Sequence, residues 1–208
     1  MSRDSKVALF LLASFLSVFV WSLIKPRDLF TWWLEISPAL LGLAILVSTY
    51  RRFRFTRLAY GLMWAHALIL AVGAHYTYAE VPLFNFIRDL FELSRNHYDR
   101  VGHFAQGFFP AIVAREVLVR VSPVKSGGWL FVVTVAICLS ISALYELFEW
   151  GMAMATGSAA DAFLGTQGDP WDTQKDMALA LAGAMISLLS LGRLHDRQLK
   201  KIAGAARS

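Results

Sequence analysis

Apolar residues along this chain fall in long unbroken blocks rather than in the 3.6-residue stripe of a half-buried helix. Six blocks run roughly over Val7–Leu23, Trp32–Tyr50, Leu58–Ala79, Val101–Val121, Trp129–Trp150 and Met177–Leu191. Each is near the ~20 residues a helix needs to cross the hydrocarbon core, the last being short. Backbone polar groups in lipid find partners only within their own segment, so each block predicts a helix. The expected fold is all-α: a polytopic membrane bundle of about six transmembrane helices in one integral domain over residues 1–208.

The pattern changes in two places. Between the third and fourth blocks, "PLFNFIRDLFELSRN" is amphipathic. Leu83, Phe86, Ile87, Leu90 and Phe91 share one helical face, with Arg88, Asp89, Glu92 and Arg95 opposite. This predicts an interfacial helix lying flat on the outer membrane surface. The segment Thr156–Lys175, "TGSAADAFLGTQGDPWDTQK", is rich in Gly and Asp, carries Pro170, and reads as an irregular loop over the bundle. There is no internal repeat.

Composition agrees with a membrane protein. The 208 residues are 57% hydrophobic with a mean hydropathy of +0.51, more than a soluble domain needs. The net charge of +5 raises the question of nucleic acid, but no basic face is interleaved with stacking aromatics, so no nucleic-acid partner is expected. The Lys and Arg residues instead sort by side. With the N-terminus inside, Arg3, Lys6, Arg51, Arg52, Arg54, Arg57, Arg115, Arg120, Lys125, Arg193, Arg197, Lys200, Lys201 and Arg207 lie on the inner side. Only Lys25, Arg27, Arg88, Arg95, Arg100 and Lys175 lie outside. That bias places both termini in the cytoplasm. The basic start before Val7 lacks a small-residue cleavage site after Trp21, so it reads as an uncleaved first span. The single cysteine, Cys138, gives no disulfide and no thiolate metal site; it reads as a small buried hydrophobe.

The acids sort the opposite way: only Asp4, Glu116 and Asp196 fall on the inner side. Acids do not set topology, so their placement asks for another cause. Asp99 and His103 open the fourth span four residues apart, and Gln106 follows on the same face. Glu146 and Glu149 close the fifth, three apart. Asp172 and Asp176 begin the sixth, four apart if the helix starts that early. Three helices thus bring carboxylates and an imidazole to one mouth, with Arg100 and Lys175 as the nearby cations. Gathered carboxylates need protons, arginines or a metal. Carboxylate and imidazole donors suit Zn²⁺, Mn²⁺ or Fe²⁺ better than Ca²⁺. Asp99, His103, Glu146 and Asp176 are the candidate metal ligands, and Glu149 or Asp172 the candidate general base for a metal-activated water.

Other polar positions read differently. Asp161 and Asp169 are expected as loop residues, and His75 and Glu35 as structural. His66, mid-span in an apolar helix, reads as a hydrogen-bonded core histidine, with a proton relay as the sharper alternative. Trp32, Trp33, Trp129, Trp150 and Trp171 read as interfacial belt anchors. Ala178, Ala180, Ala182, Gly183 and Ala184 predict a close-packing face on the last span.

"YDRVGHFAQGF", "ALYELFEWGMA" and "GDPWDTQKDMALALAGA", in this order, resemble the YjdF-type inner-membrane proteins of bacteria. The resemblance implies a multi-span protein of the bacterial inner membrane and brings no assigned activity with it. The Asp99/His103, Glu146/Glu149 and Asp176/Gly183 spacing is also similar to VanZ-like membrane proteins. It departs from them in Glu149, where Gln is usual, and in Ala180, where Asn is usual. Three functions stay open. One is a metal-dependent enzyme acting at the outer face on a lipid or cell-envelope substrate. A second is a non-catalytic bundle whose polar cluster fixes the fold. A third is a proton-coupled carrier, against which stands the lack of a repeat.

Overall fold

The computed structural model describes residues 3–157 and 161–205. Its regular structure is helical throughout these residues. The helices are α1 (Arg3–Leu23), α2 (Leu29–Thr49), α3 (Arg57–Tyr76), α4 (Pro82–Leu90), α5 (Tyr98–Val121), α6 (Gly128–Thr156), α7 (Asp161–Leu164) and α8 (Asp172–Ala205). Local chemistry fixes several of their ends. The Asp28 carboxylate accepts the Thr31 N–H at 2.6 Å to start α2, and the Thr56 hydroxyl accepts the Ala59 N–H at 3.2 Å to start α3. Helix α3 stops where Thr77 and Tyr78 take left-handed φ values of 60° and 45°. The turn swings the Tyr78 ring back over Gly73 and Gly102. A Cβ at Gly102 would lie 2.7 Å from that ring, so the two glycines make its berth.

Five helices, α1, α2, α3, α6 and α8, are long and apolar enough to cross a membrane. The remaining expected span, α5, has 24 residues but is too polar to qualify by composition. Packing gives the reason: α3, α6 and α8 all pack against α5, and Asp99, His103, Arg115 and Glu116 are all on its buried surface. A polar helix is tolerated at membrane depth when its neighbours screen it from lipid. Helix α8, at 34 residues, is about 51 Å long at 1.5 Å per residue. That exceeds the ~30 Å hydrocarbon thickness, and its first turn takes Asp172 out of the expected loop.

The closest helix contact is between α5 and α8, which run parallel. Gly107 faces the backbone of Ala180, where a Cβ would come within 2.8 Å of the Ala180 Cα. Gly183 faces the Phe104 carbonyl, and a Cβ there would lie 2.9 Å from the Phe108 nitrogen. Ala180 and Ala184 are fully buried in this seam, whereas Ala178 is exposed. Small residues permit such backbone approach in membranes. The contact puts Asp176 beside His103, one turn before Ala180 and Gly107 respectively.

Two expectations need correction. The amphipathic helix ends at Leu90 rather than running to Asn96. Glu92 turns the chain with φ of 51°, and Arg95 and Asn96 fold inward, 6% and 0% exposed. Asn96 is held there by donating to the Val81 carbonyl at 3.1 Å and to Asn85 at 2.8 Å. Trp32 is no belt anchor. It is buried, and its indole N–H donates to the Ser22 hydroxyl at 3.2 Å, joining α1 to α2. Trp33, Trp129, Trp150 and Trp171 are exposed, as belt residues should be.

The α5/α8 seam makes a direct prediction. Gly107→Ala and Gly183→Ala should each lower the thermal midpoint in detergent, by overpacking worth about 1–3 kcal/mol. Gly61→Ala, at a helical position with open space around it, should be neutral or stabilising.

Candidate functional site

His103 lies at the centre of the polar cluster, 6% exposed. Its Nε2 is 3.3 Å from Asp99 Oδ1 on the same helix and 3.9 Å from Asp176 Oδ2 on α8. Asp99, His103 and Asp176 each present one donor atom, and the three atoms lie within 4.8 Å of one another. An ion held at about 2.0–2.2 Å draws its donors to within roughly 4.4 Å, so a small side-chain adjustment closes the set. The other edge of the ring faces different partners: Nδ1 lies 3.2 Å from Gln106 Oε1 and 3.7 Å from Glu146 Oε1. Gln106 and Glu146 thus flank the imidazole on the side away from the two aspartates. Glu146 Oε1 is shut off from water and has no hydrogen-bond partner among the described residues.

Two arginines lace this end together. Arg95 pairs with Asp99 at 3.2 Å and Asp172 at 2.5 Å, and donates to the carbonyls of Gly165 and Thr166 at 3.2 Å. Arg100 pairs with Asp169 at 2.9 Å, Asp172 at 2.5 Å and Asp176 at 2.5 Å. Gln167 adds two bonds to the Asn96 backbone, at 2.8 and 3.0 Å. The expected irregular loop is therefore tied down at residues 165–172. Asp169, read as a loop residue, is one of its anchors. The Lys175 ammonium, 2.7 Å away, and the Trp171 N–H hold its carboxyl below the ordinary carboxylate range. The side chain of Asp161 lies outside the described residues.

The only acids these two arginines pair with are aspartates, among the described residues. Glu35, Glu146 and Glu149 are 4%, 7% and 9% exposed, and none has a Lys or Arg within ion-pair distance among the described residues. Glu35, read as structural, is drawn into the cluster: the Tyr145 hydroxyl donates to it at 3.4 Å, and Tyr145 stands 6.4 Å from the His103 ring. His75 lies elsewhere, bonded to the Ser22 carbonyl at 3.0 Å. His66 packs on Phe109, and its Nε2 has no hydrogen bond of the kind expected of a core histidine among the described residues.

Sequence reasoning missed Arg95, whose amphipathic spacing pointed it at solvent. It also missed a second buried cluster at the far end of α5. There Glu116 accepts from the Thr56 hydroxyl at 2.7 Å, from Arg120 at 2.7 Å and from His195 Nε2 at 3.1 Å. Arg115 donates to His195 Nδ1 at 2.9 Å, which leaves the ring proton on Nε2. Every polar atom of this group that the bonds name is matched, so it reads as a clamp joining α3, α5 and α8.

Fold and site together define a polytopic helical membrane protein with a buried polar centre at one end. The chain belongs to the DUF2238 family of predicted membrane proteins, whose pattern matches residues 7–197. It is similar to the inner membrane protein YjdF of Escherichia coli (strain K12), with 46% identity over 184 residues, 88% of either chain. No solved structure matches it.

The ion-pair lacing has measurable consequences. Arg95→Met takes the arginine from buried Asp99, leaves Asp172 with Arg100 alone, and should cost about 3 kcal/mol, read as a loss of thermal stability in detergent. Arg88→Ala, at an exposed pair with Asp89, should leave the midpoint where it was. Because Asp169 is held below its ordinary range, its contribution is complete above about pH 4 and is lost as pH falls through the lowered value. Stability scans from pH 7 to pH 3 should show that loss in the natural protein and not in Asp169→Asn.

Proposed function

We propose that this protein is a membrane-embedded, metal-dependent enzyme of the bacterial inner membrane. In this reading both termini are cytoplasmic and the His103 end is at the outer face, where it acts on a lipid or cell-envelope substrate. The observation that carries the reading is the buried group of Asp99, His103 and Asp176, whose donor atoms fall within 4.8 Å on two helices locked in register. Two carboxylates and an imidazole suit Zn²⁺, Mn²⁺ or Fe²⁺. Such an ion, when bound, supplies Lewis acidity and a water primed for hydrolysis.

The surrounding residues divide the remaining work. Gln106 and Glu146, on the Nδ1 side, accept the other ring proton and turn Nε2 toward the aspartates, as outer partners of a ligating histidine do. Glu149 is buried, has no hydrogen bond among the described residues, and is the general base in this scheme. Asp172, the other candidate base, has its Oδ1 shared by Arg95 and Arg100 at 2.5 Å; it sets the arginines that fix Asp99 and Asp176.

A second reading has its own support. Asp99, Asp176 and His103 already have protein partners in Arg95, Arg100 and Gln106, as a purely structural network would. Proton-coupled transport has one feature in its favour, the unpartnered Nε2 of His66.

Metal content separates these readings. Protein purified in mild detergent without chelators should carry about one equivalent of a transition metal by mass spectrometry, and the folded Asp99→Ala/His103→Ala variant should carry none. A folded natural protein free of metal would hand the cluster to the structural reading.

A further inference from the structure

At the end of the bundle away from His103, α1, α2 and α3 enclose an apolar groove of about 610 Å³. Its origin is in the packing. Helices α1 and α2 each lie along α3, and they meet each other at Ser22 and Trp32, where Phe19 packs on the Trp32 ring at 5.7 Å. From that junction they diverge, and the wedge between them is floored by Met63 and Trp64 of α3. On the α2 wall, a Cβ built on Gly42 would meet nothing within 4 Å. The volume falls in the ~300–1,000 Å³ range of ligand sites.

The mouth has a different character. Tyr50 and Tyr60 line it, and the Arg54 guanidinium lies over the Tyr50 ring at 5.2 Å. Arg51 and Arg52 follow Tyr50 directly, and Lys6 adjoins Ser5 on the opposite lip; Lys6, Arg51, Arg52 and Arg54 are exposed. Among the described residues no acid lines the groove. A methylene chain gains little by leaving bilayer for an equally apolar groove, so selectivity must come from shape and from charge at the mouth.

We propose that this groove is a binding site for an acyl chain of an anionic membrane phospholipid, with the phosphate-bearing headgroup held by Arg51, Arg52, Arg54 and Lys6. Three helices confine the chain, and the basic lip selects against lipids without net negative charge. The site is independent of the metal reading: its residues lie on other helices and at the other end of the bundle.

Native mass spectrometry of the full chain in detergent, incubated with phosphatidylglycerol or phosphatidylethanolamine of identical chains, tests this. The natural protein should retain one phosphatidylglycerol in clear preference to phosphatidylethanolamine. Arg51→Gln/Arg52→Gln, at exposed positions, should weaken that retention about fivefold for each arginine. Gly42→Phe should fill the groove and abolish retention, with Gly42→Leu as the smaller filler if Phe fails to fold. In nanodiscs containing brominated-chain phosphatidylglycerol, the Trp64 fluorescence, isolated by difference against Trp64→Phe, should be quenched, and Gly42→Phe should relieve the quenching. Equal retention of the two lipids, or full retention by a folded Gly42 variant, would overturn the proposal.

Discussion

The near-contact of two backbones, α5 at Phe104 and Gly107 against α8 at Ala180 and Gly183, is the constraint from which the rest of the bundle follows. In lipid there is little hydrophobic force between helices, so close fit decides which helices pair and in what register. Because α5 and α8 run parallel, one contact sets the geometry at both ends. One turn toward the start of the helices it places Asp176 beside His103. Toward their far ends it places His195 beside Arg115 and Glu116. A shift of one residue along the seam would rotate both sets of polar groups out of contact.

That seam explains how so much charge is tolerated. Asp99, Arg115 and Glu116 would be expensive on a helix facing lipid. On α5 they face inward, screened by α3, α6 and α8. The two clusters then differ in kind. Around Glu116 the named bonds match donors with acceptors. Around His103 the only acids that Arg95 and Arg100 pair with are aspartates, and Glu35, Glu146 and Glu149 have no Lys or Arg partner among the described residues. The first cluster pairs its acid with cations, while the second keeps three buried glutamates that no Lys or Arg meets among the described residues.

The same packing logic leaves the α1–α2 wedge open. Those two helices are fastened to each other near Ser22 and Trp32 and to α3 along their length, so divergence at the opposite end exposes an apolar groove instead of closing it. Lys6, Arg51, Arg52 and Arg54, four of the basic residues whose placement along the sequence suggests an orientation, also border this groove.

Residue pattern alone carried the all-helical class, the apolar spans, the amphipathic segment and the pairing of Asp99 with His103, Glu146 with Glu149 and Asp172 with Asp176. Those features depend on spacing within one segment, and hydropathy and helical periodicity report them directly. The small-residue face on α8 was legible for the same reason. The inward turn of Arg95, the burial of Trp32, the recruitment of Glu35 through Tyr145 and the Glu116–His195 clamp were decided by the tertiary structure. Each depends on a partner 10 or more residues away in sequence or on a left-handed turn such as that at Glu92. An amphipathic pattern states which side of a helix is polar. It does not state where the chain leaves the helix, or which buried acid a departing arginine will meet.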